Sequence, residues 1–331
     1  MNNIKTRIII SNSLNPWENL ALEEALLDDV QKNEAILYLW QNENTVVIGR
    51  NQNPWRECDH RRLESDGGKL ARRLSGGGAV FHDKGNLNFT FIVDRKLFDI
   101  KRQLSVVLSC VNENKIHAVA SGRNDILADG KKFSGNAFYY KDDKAYHHGT
   151  ILVDSNLENL TRYLTAPTEK IVSKGIDSVR SRVVNLKSLN TSVSIQSISD
   201  SMVKSFESEY GKAFSIIEPS EFDISSLVPK YSSWDWRFGQ APKFDISFEK
   251  RFGWGDFEIC LTLRSGKIAA SKIYSDALNV SIMHKIDGGL SGCEFKMASV
   301  IDSISSCAFT QDEKLIADDI VSLLLEKKHV F

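Results

Sequence analysis

The densest run of chemistry-bearing residues is Arg72-Arg73-Leu74-Ser75-Gly76-Gly77-Gly78-Ala79-Val80-Phe81-His82-Asp83. Consecutive glycines between two β-like runs cost backbone entropy. What they permit is a turn whose N–H groups point at a ligand with no side chain in the way, a geometry that favours anions and phosphate above all. The two preceding arginines add charge-assisted donors for the same anion. The alternative is a glycine-rich hairpin with solvent-facing arginines; the arginines before and His-Asp after weigh against it. Nucleotide folds built on GxxxxGK[ST] or GxGxxG are excluded, because neither pattern occurs in the chain.

A second segment runs Ser121-Gly122-Arg123-Asn124-Asp125-Ile126, then Gly130-Lys131-Lys132-Phe133-Ser134-Gly135-Asn136-Ala137. If Asp129-Gly130 closes a hairpin, Asp125 and Lys132 lie on neighbouring strands, close in space. Small residues around Lys132 leave room for a substrate, and simple alternation puts Lys132, Ser134 and Asn136 on one face with Phe133 on the other. His147 and His148 suggest a metal, but neighbours in a strand point to opposite faces, and no further His or Cys stands at zinc spacing. One of the two is expected to be structural and the other to line a site. The basic segment from Ser173 to Arg182 reads either as a surface loop or as a flap over a phosphate.

These groups need a mixed scaffold. Thr6 to Ser11 is a β-branched run, and Asn15-Pro16 opens a helix with Asn15 as N-cap and Pro16 in its first turn. Ile36 to Trp40 and Thr45 to Ile48 read as a hairpin through Asn42-Glu43-Asn44. Arg61 to Asp66 is a surface helix. Lys69 to Val93 alternates strand and turn, with Leu87 to Val93 the most β-like segment. Leu104 to Val111 is helical, and two β pairs follow between His117 and Val153. Ser155 to Leu164 is a helix with a serine cap, and Ser197 to Tyr210 is amphipathic. Proline and serine thicken from Pro219 to Ser233, as in a linker. Beyond it Lys243 to Ile273 reads as three strands and Val280 to Lys328 as helix. The fold class is α+β, with mixed β-sheets flanked by helices in residues 1–240 and a small α+β accessory domain in 241–331.

At 331 residues the chain has room for about two domains. Its 42 basic and 43 acidic side chains give a formal charge of -1, so no charge argument supports a nucleic-acid or membrane partner. Five scattered cysteines suit reduced thiols rather than a disulfide framework. No stretch approaches a secretory leader core or the ~20 apolar residues of a membrane span. A cytoplasmic protein is expected, with monomer as the default state.

Taken together, these segments resemble the bacterial lipoate–protein ligase family nearly end to end. The resemblance runs through Asn15-Pro16-Trp17 to Glu23-Glu24, Thr45 to Trp55, Leu70 to Asn88, Gly122 to Ala137, His147 to Leu152, Lys174 to Asn185 and Trp234 to Phe244. RRLSGGGAVFHDKGNLN followed by GRNDI and GKKFSG is its most specific part. The resemblance implies a biotin/lipoyl protein ligase-like large domain and a two-step reaction: ATP activates lipoate to lipoyl-AMP, then a lysine of a lipoyl domain takes the lipoyl group. It implies ATP, Mg2+ and lipoate as ligands. The implied partners are lipoyl domains of 2-oxoacid dehydrogenase acyltransferase subunits and the glycine cleavage H protein.

By the same resemblance Lys132 is catalytic. Arg73, Gly76, Gly77, Gly78, Ala79, Val80, Phe81, Asp125, Lys132, Lys174, Gly175 and Ser178 hold the adenylate, with Asp125 a candidate Mg2+ contact. Lipoate meets Trp40, Val47, Arg72, Ser75, His82, Lys132, Ser134, Gly135, His147 and His148; which of the two histidines lines the site, and whether Glu23 or Glu24 faces it, stays open. The rivals are a transferase using only preformed lipoyl-AMP, an octanoyltransferase working through a cysteine thioester, and a non-catalytic sensor of the same fold.

Overall fold

The computed structural model describes residues 4–122, 124–164, 183–213, 215–238 and 245–327; Lys174, Gly175 and Ser178 lie outside them. The chain divides into two compact units. The first comprises Met1–Ile48, Pro54–Arg72 and Ala79–Arg237; the second comprises Gly49–Asn53, Arg73–Gly78 and Phe238–Phe331.

The first unit is built on an eight-stranded mixed sheet. Strands β1 (Lys5–Ile10), β2 (Glu34–Trp40), β6 (Asn86–Asp94), β7 (Ala118–Ser121), β8 (Asp125–Ala128), β9 (Lys131–Lys141), β10 (Lys144–Leu152) and β11 (Ser215–Ile217) stand in the order β11-β1-β2-β6-β10-β9-β8-β7. β1 runs parallel to β11 and β2, and the remaining pairs are antiparallel. β2 and β6 are buried on both faces; β2 accordingly reads as a near-continuous apolar run, while β6 carries Asn86, Asn88 and Thr90 on one face. On one face Leu87, Phe89, Phe91 and Val93 pack against helices Ile100–Glu113 and Ile195–Tyr210 through Val107, Cys110, Ile198, Met202 and Phe206. The other face meets helix Pro16–Asp29, where the Tyr38 hydroxyl donates to Asn19 Oδ1 (3.1 Å). Asn15 caps that helix by accepting from the Trp17 N–H, with Pro16 in the first turn. Asp129 and Gly130 both take positive φ (50° and 70°), the backbone that a two-residue hairpin turn demands, and they join β8 to β9.

Three expectations need correction. β2 and Thr45–Ile48 (β3) are not a hairpin: β3 lies between β4 (Lys69–Arg72, parallel) and β5 (Val80–His82, antiparallel) in a separate three-stranded sheet. Asn42 is the reason. Its oxygen accepts from Asn19 Nδ2 (3.0 Å) and its NH2 donates to His82 Nδ1 (3.1 Å), so the connection is tied into the interior and turned between sheets. The helix after Ser155 is capped one residue later, by Asn156, which accepts from the N–H groups of Glu158 and Asn159. Pro219 to Ser233 is not a linker. Pro219 opens a 3-10 turn, Leu227–Ser232 is helical, and Tyr231 is buried at 1% exposure.

The second unit carries the antiparallel meander β12 (Ile246–Phe252), β13 (Gly255–Arg264), β14 (Lys267–Ser275). Helices Val280–Leu290, Met297–Ser305 and Gln311–Glu326 share a core with it that includes Phe257, Ile259, Ile282, Ile286, Ile320 and Leu323. Among the described residues no helix is long and apolar enough to cross a membrane.

Candidate active site

Lys132 stands near the start of β9 and pairs with Asp125 at the start of β8, Nζ to Oδ1 2.7 Å. Both side chains are about one-third exposed (36% and 37%). An ion pair so open to water contributes little to stability, so its ordering matters more for chemistry than for folding. The β8–β9 ladder shifts register between Ile126 and Leu127. That bulge breaks the strict alternation expected of Lys132, Ser134 and Asn136. Asn136 instead turns with Ser134 to the face carrying His147: its NH2 donates to Ser134 Oγ (3.4 Å), and its Oδ1 lies 2.9 Å from His147 Nε2. The Lys132 amine lies over Gly135, where a Cβ would come 3.0 Å from Nζ and 3.1 Å from Cε. Gly135 thus keeps room for the amine, and its N–H donates to Thr150 Oγ1 (3.2 Å).

The face shared by Gly135 and Thr150 carries a buried polar network. The Trp40 indole N–H donates to Thr90 Oγ1 (3.1 Å), and the Thr90 hydroxyl donates to Glu23 Oε1 (2.7 Å). His148 Nδ1 donates to the same oxygen (2.9 Å). Register explains the gathering: Tyr38 lies opposite Thr90 and Thr90 opposite His148, while Trp40 and Thr150 both lie opposite Asn88. Asn86 Nδ2 donates to Asn88 Oδ1 (3.0 Å), which leaves Asn86 Oδ1 and Asn88 Nδ2 buried without a partner among the described residues. A buried polar atom left so costs about 1–3 kcal/mol, and a polar ligand group would relieve it. His82 stands edge-on to Trp40 (6.1 Å between ring centroids).

His147 faces the other way, among Phe89, Phe91 and Phe138. Burial, then the neighbouring His148, lowers its pKa to about 3, so the ring is neutral. Glu24 also turns away from Glu23, to an ion pair with Lys230 (2.7 Å). Glu23 and His148 therefore belong to the network face, and Glu24 and His147 do not.

The glycine turn belongs to the second unit. The Arg73 guanidinium donates to Ser75 Oγ (3.0 Å) and to the carbonyls of Gly76 (2.7 Å) and Gly78 (2.8 Å). A Cβ on Gly76 would fall 2.1 Å from the Ala277 carbonyl oxygen. Gly77 has φ +90°, and its N–H donates to that same oxygen (3.3 Å). Gly78 is exposed, with nothing within 4 Å of its Cβ position. The first two glycines are thus required for close backbone packing, and the open part of the turn begins at Gly78. In the first unit, Arg72 donates to the carbonyls of Trp236 (2.9 Å) and Arg237 (2.7 Å) and its own carbonyl accepts from the Trp236 indole. Val47 is buried in the small sheet, Ala79 and Val80 are half-buried, and Phe81 packs on Tyr163 (5.5 Å).

Sequence reasoning did not single out Thr90, Asn86, Gln103 or Asn42. For Asn86 and Thr90 the signal was polar residues inside an otherwise apolar strand, but their partners depend on strand register; Gln103 stands on a helix, and Asn42, read as a turn residue, in a connection. Among the described residues no group of three or more His, Cys, Asp or Glu stands in metal-ligand geometry.

Residues 15–207 match the lipoyl protein ligase A/B catalytic domain, and residues 241–324 match the bacterial lipoate protein ligase C-terminus. Among solved structures, LipL1 of P. falciparum in complex with lipoate is 28% identical, over 97% of this chain and 99% of that one, with a TM-score of 0.86. The bi-partite lipoate protein ligase of Thermoplasma acidophilum, solved in a study of an archaeal lipoylation system that includes its E2 lipoyl domain, is 27% identical over 73% of this chain and 100% of its own (TM-score 0.65). Lipoate-protein ligase A bound with ATP is 26% identical over 72% of this chain and all of its own (TM-score 0.63).

Proposed function

The chain belongs to the lipoyl protein ligase A/B family, and we propose that it runs both half-reactions of a lipoate–protein ligase. In the first, a lipoate carboxylate oxygen attacks the α-phosphorus of ATP, the bond to the β-phosphate breaks, and pyrophosphate leaves. In the second, the amine of an acceptor lysine attacks the acyl carbon of lipoyl-AMP, loses a proton and expels AMP. The acceptors are lipoyl domains of 2-oxoacid dehydrogenase complexes and the glycine cleavage H protein.

The observation that carries this reading is the Lys132–Asp125 pair, one-third exposed over Gly135, in a chain 28% identical along nearly its whole length to a lipoate-complexed structure. Carboxylate and triphosphate repel one another, so the first step needs a cation where their charge accumulates. The Lys132 ammonium serves there, with Asp125 fixing its direction, and preorganised donors of this kind are commonly the largest catalytic contribution. The open part of the glycine turn, from Gly78 through Phe81, supplies N–H donors to phosphate, while Arg73 stiffens that turn. Trp40 offers an apolar wall for the lipoyl chain, whose burial yields about 0.8 kcal/mol per methylene. Lys174, Gly175 and Ser178 are proposed to cover the adenylate and keep water from the anhydride. Mg2+ carried on phosphates needs only one or two protein carboxylates; Asp125 fits that requirement, and the ion would neutralise phosphate charge.

A thioester-forming transferase needs an accessible thiolate. Burial, with Asp59 and Glu64 adding to it, pushes the Cys58 thiol up to about 12, and burial raises Cys110 well above its ordinary value. Neither is poised as a nucleophile.

The test is AMP release by purified protein with ATP, Mg2+, lipoate and a lipoyl domain, read together with the mass of that domain. Lipoate-dependent AMP and a lipoyl mass increment are expected. A mass increment only from added lipoyl-AMP would make the protein a transferase, and no increment from either donor would overturn the reading.

A further inference from the structure

Behind Lys132, on the core face of the sheet, four groups line up whose orientations can be solved one from the next. Asn136 makes two bonds to the Asn124 carbonyl, from its backbone N–H (2.8 Å) and from its side-chain NH2 (3.0 Å). Its amide is thereby fixed, with Oδ1 towards His147 Nε2 at 2.9 Å. An acceptor there requires that Nε2 carry the hydrogen. Burial keeps the ring neutral, so Nδ1 is a bare acceptor; Gln103 stands with Oε1 3.2 Å from it, acceptor against acceptor, and the bond forms only with that amide turned over so that its NH2 donates. As placed, the amide leaves Gln103 Nε2 buried without a partner among the described residues. A directed chain results: Gln103 to His147 to Asn136 to the Asn124 carbonyl.

Asn124 is the residue before Asp125, and Asp125 holds Lys132. The bulge that separates Lys132 from Asn136 by face also makes Asn136 the link between the core of the sheet and the Asn124–Asp125 turn. We propose that Asn136, oriented from the core side by His147 and Gln103, is a positioning residue that sets the direction of the Asp125–Lys132 pair during adenylate formation. The proposal rests on the ligase reading above. His147, far from touching lipoate, acts through Asn136. A chain of buried hydrogen bonds has one low-energy arrangement when every member is satisfied, and an error of about 1 Å in a reacting group can lower a rate by roughly 10^2-fold.

The experiment combines lipoate-dependent ATP–pyrophosphate exchange with 15N NMR of the histidine rings in the full-length protein. His147→Leu removes the donor to Asn136 and is expected to lower kcat about tenfold with little change in KM for lipoate or ATP. His147→Gln, which can place an NH2 near the Nε2 position, should return kcat to within about threefold of wild type. Gln103→Met, at the far end of the chain, should lower kcat by about threefold and serves if His147→Leu does not fold. NMR should show His147 as the neutral Nε2–H tautomer throughout pH 5–8. Full kcat in His147→Leu, or equal losses in the Leu and Gln variants, or full kcat in Gln103→Met, would overturn the proposal, as would an Nδ1–H tautomer. Absence of exchange in the wild type would instead count against the ligase reading; the Nε2–H tautomer would then still support the chain.

Discussion

Lys132 and His147 both sit on a polar-rich stretch of sheet, yet they answer to opposite physics. The Lys132 amine keeps solvent on one side and Asp125 on the other, so its charge is available for work. Lys132→Ala should fold and lose lipoyl-AMP formation by a factor of 10^2–10^3, roughly the 3–4 kcal/mol that one preorganised donor supplies; near-normal pyrophosphate exchange in that variant would remove Lys132 from the mechanism. His147 keeps no solvent, and its charge is excluded. An unfolded chain takes up a proton there near pH 6.5, whereas the folded chain refuses it until about pH 3. Between those limits the unfolded state binds more protons, so stability rises with pH and is lost on acidification, by about 1.4 kcal/mol per pH unit. Urea midpoints at pH 7 and pH 5 should therefore drop further for the wild type than for His147→Gln, and equal drops would show that His147 ionises freely.

At the scale of elements, two irregularities do what regular strands could not. The bulge in β8–β9 puts the Lys132 amine above Gly135 and Asn136 behind it. The glycine turn uses its first two residues for backbone packing and leaves the third in the open. Gly76→Ala would drive a methyl group to within 2.1 Å of the Ala277 oxygen. It should lower stability by about 1–3 kcal/mol or more, as overpacking does. Gly78→Ala meets nothing within 4 Å and should leave the melting temperature within about a degree or two, since an open site without strain shifts stability by only a few tenths of a kcal/mol. Thermal unfolding of the two variants side by side checks the contrast; equal melting temperatures would mean that the turn is not held by Ala277.

For the whole molecule, the interleaving of the two units matters. Gly49–Asn53 and Arg73–Gly78 pack within the second unit although they lie early in the chain. Gly76 and Gly77 rest on Ala277, and the Ser275 N–H donates to the Asn51 carbonyl (2.8 Å). A chain cut after residue 237 would lose those supports. Its lipoate-dependent exchange should fall on the order of 10^2-fold and recover when residues 238–331 are supplied as a separate polypeptide. Undiminished exchange by the shortened chain would show that the glycine turn holds itself.

Much of this was legible in residue order alone, because it depends on local chemistry. Asn15-Pro16 opens a helix through its own cap, Asp129-Gly130 turns because both residues tolerate positive φ, and the Asp125–Lys132 pair follows from that turn's length. The RRLSGGG and GKKFSG segments pointed to the family for the same reason: their chemistry is contained in short windows. Other outcomes needed partners distant in sequence. Asn42 sends β3 to another sheet only because Asn19 and His82 bind its amide. Glu23 and His148, rather than Glu24 and His147, meet Thr90 and Trp40, because strand pairing sets His148 opposite Thr90 and the packing of helix Pro16–Asp29 brings Glu23 to the same oxygen network. Arg72 donates to the carbonyls of Trp236 and Arg237, which lie more than 160 residues further along the chain. Local sequence determines backbone turns and residue types, while the direction in which a buried polar group points is settled by the full set of donors and acceptors that tertiary structure assembles around it.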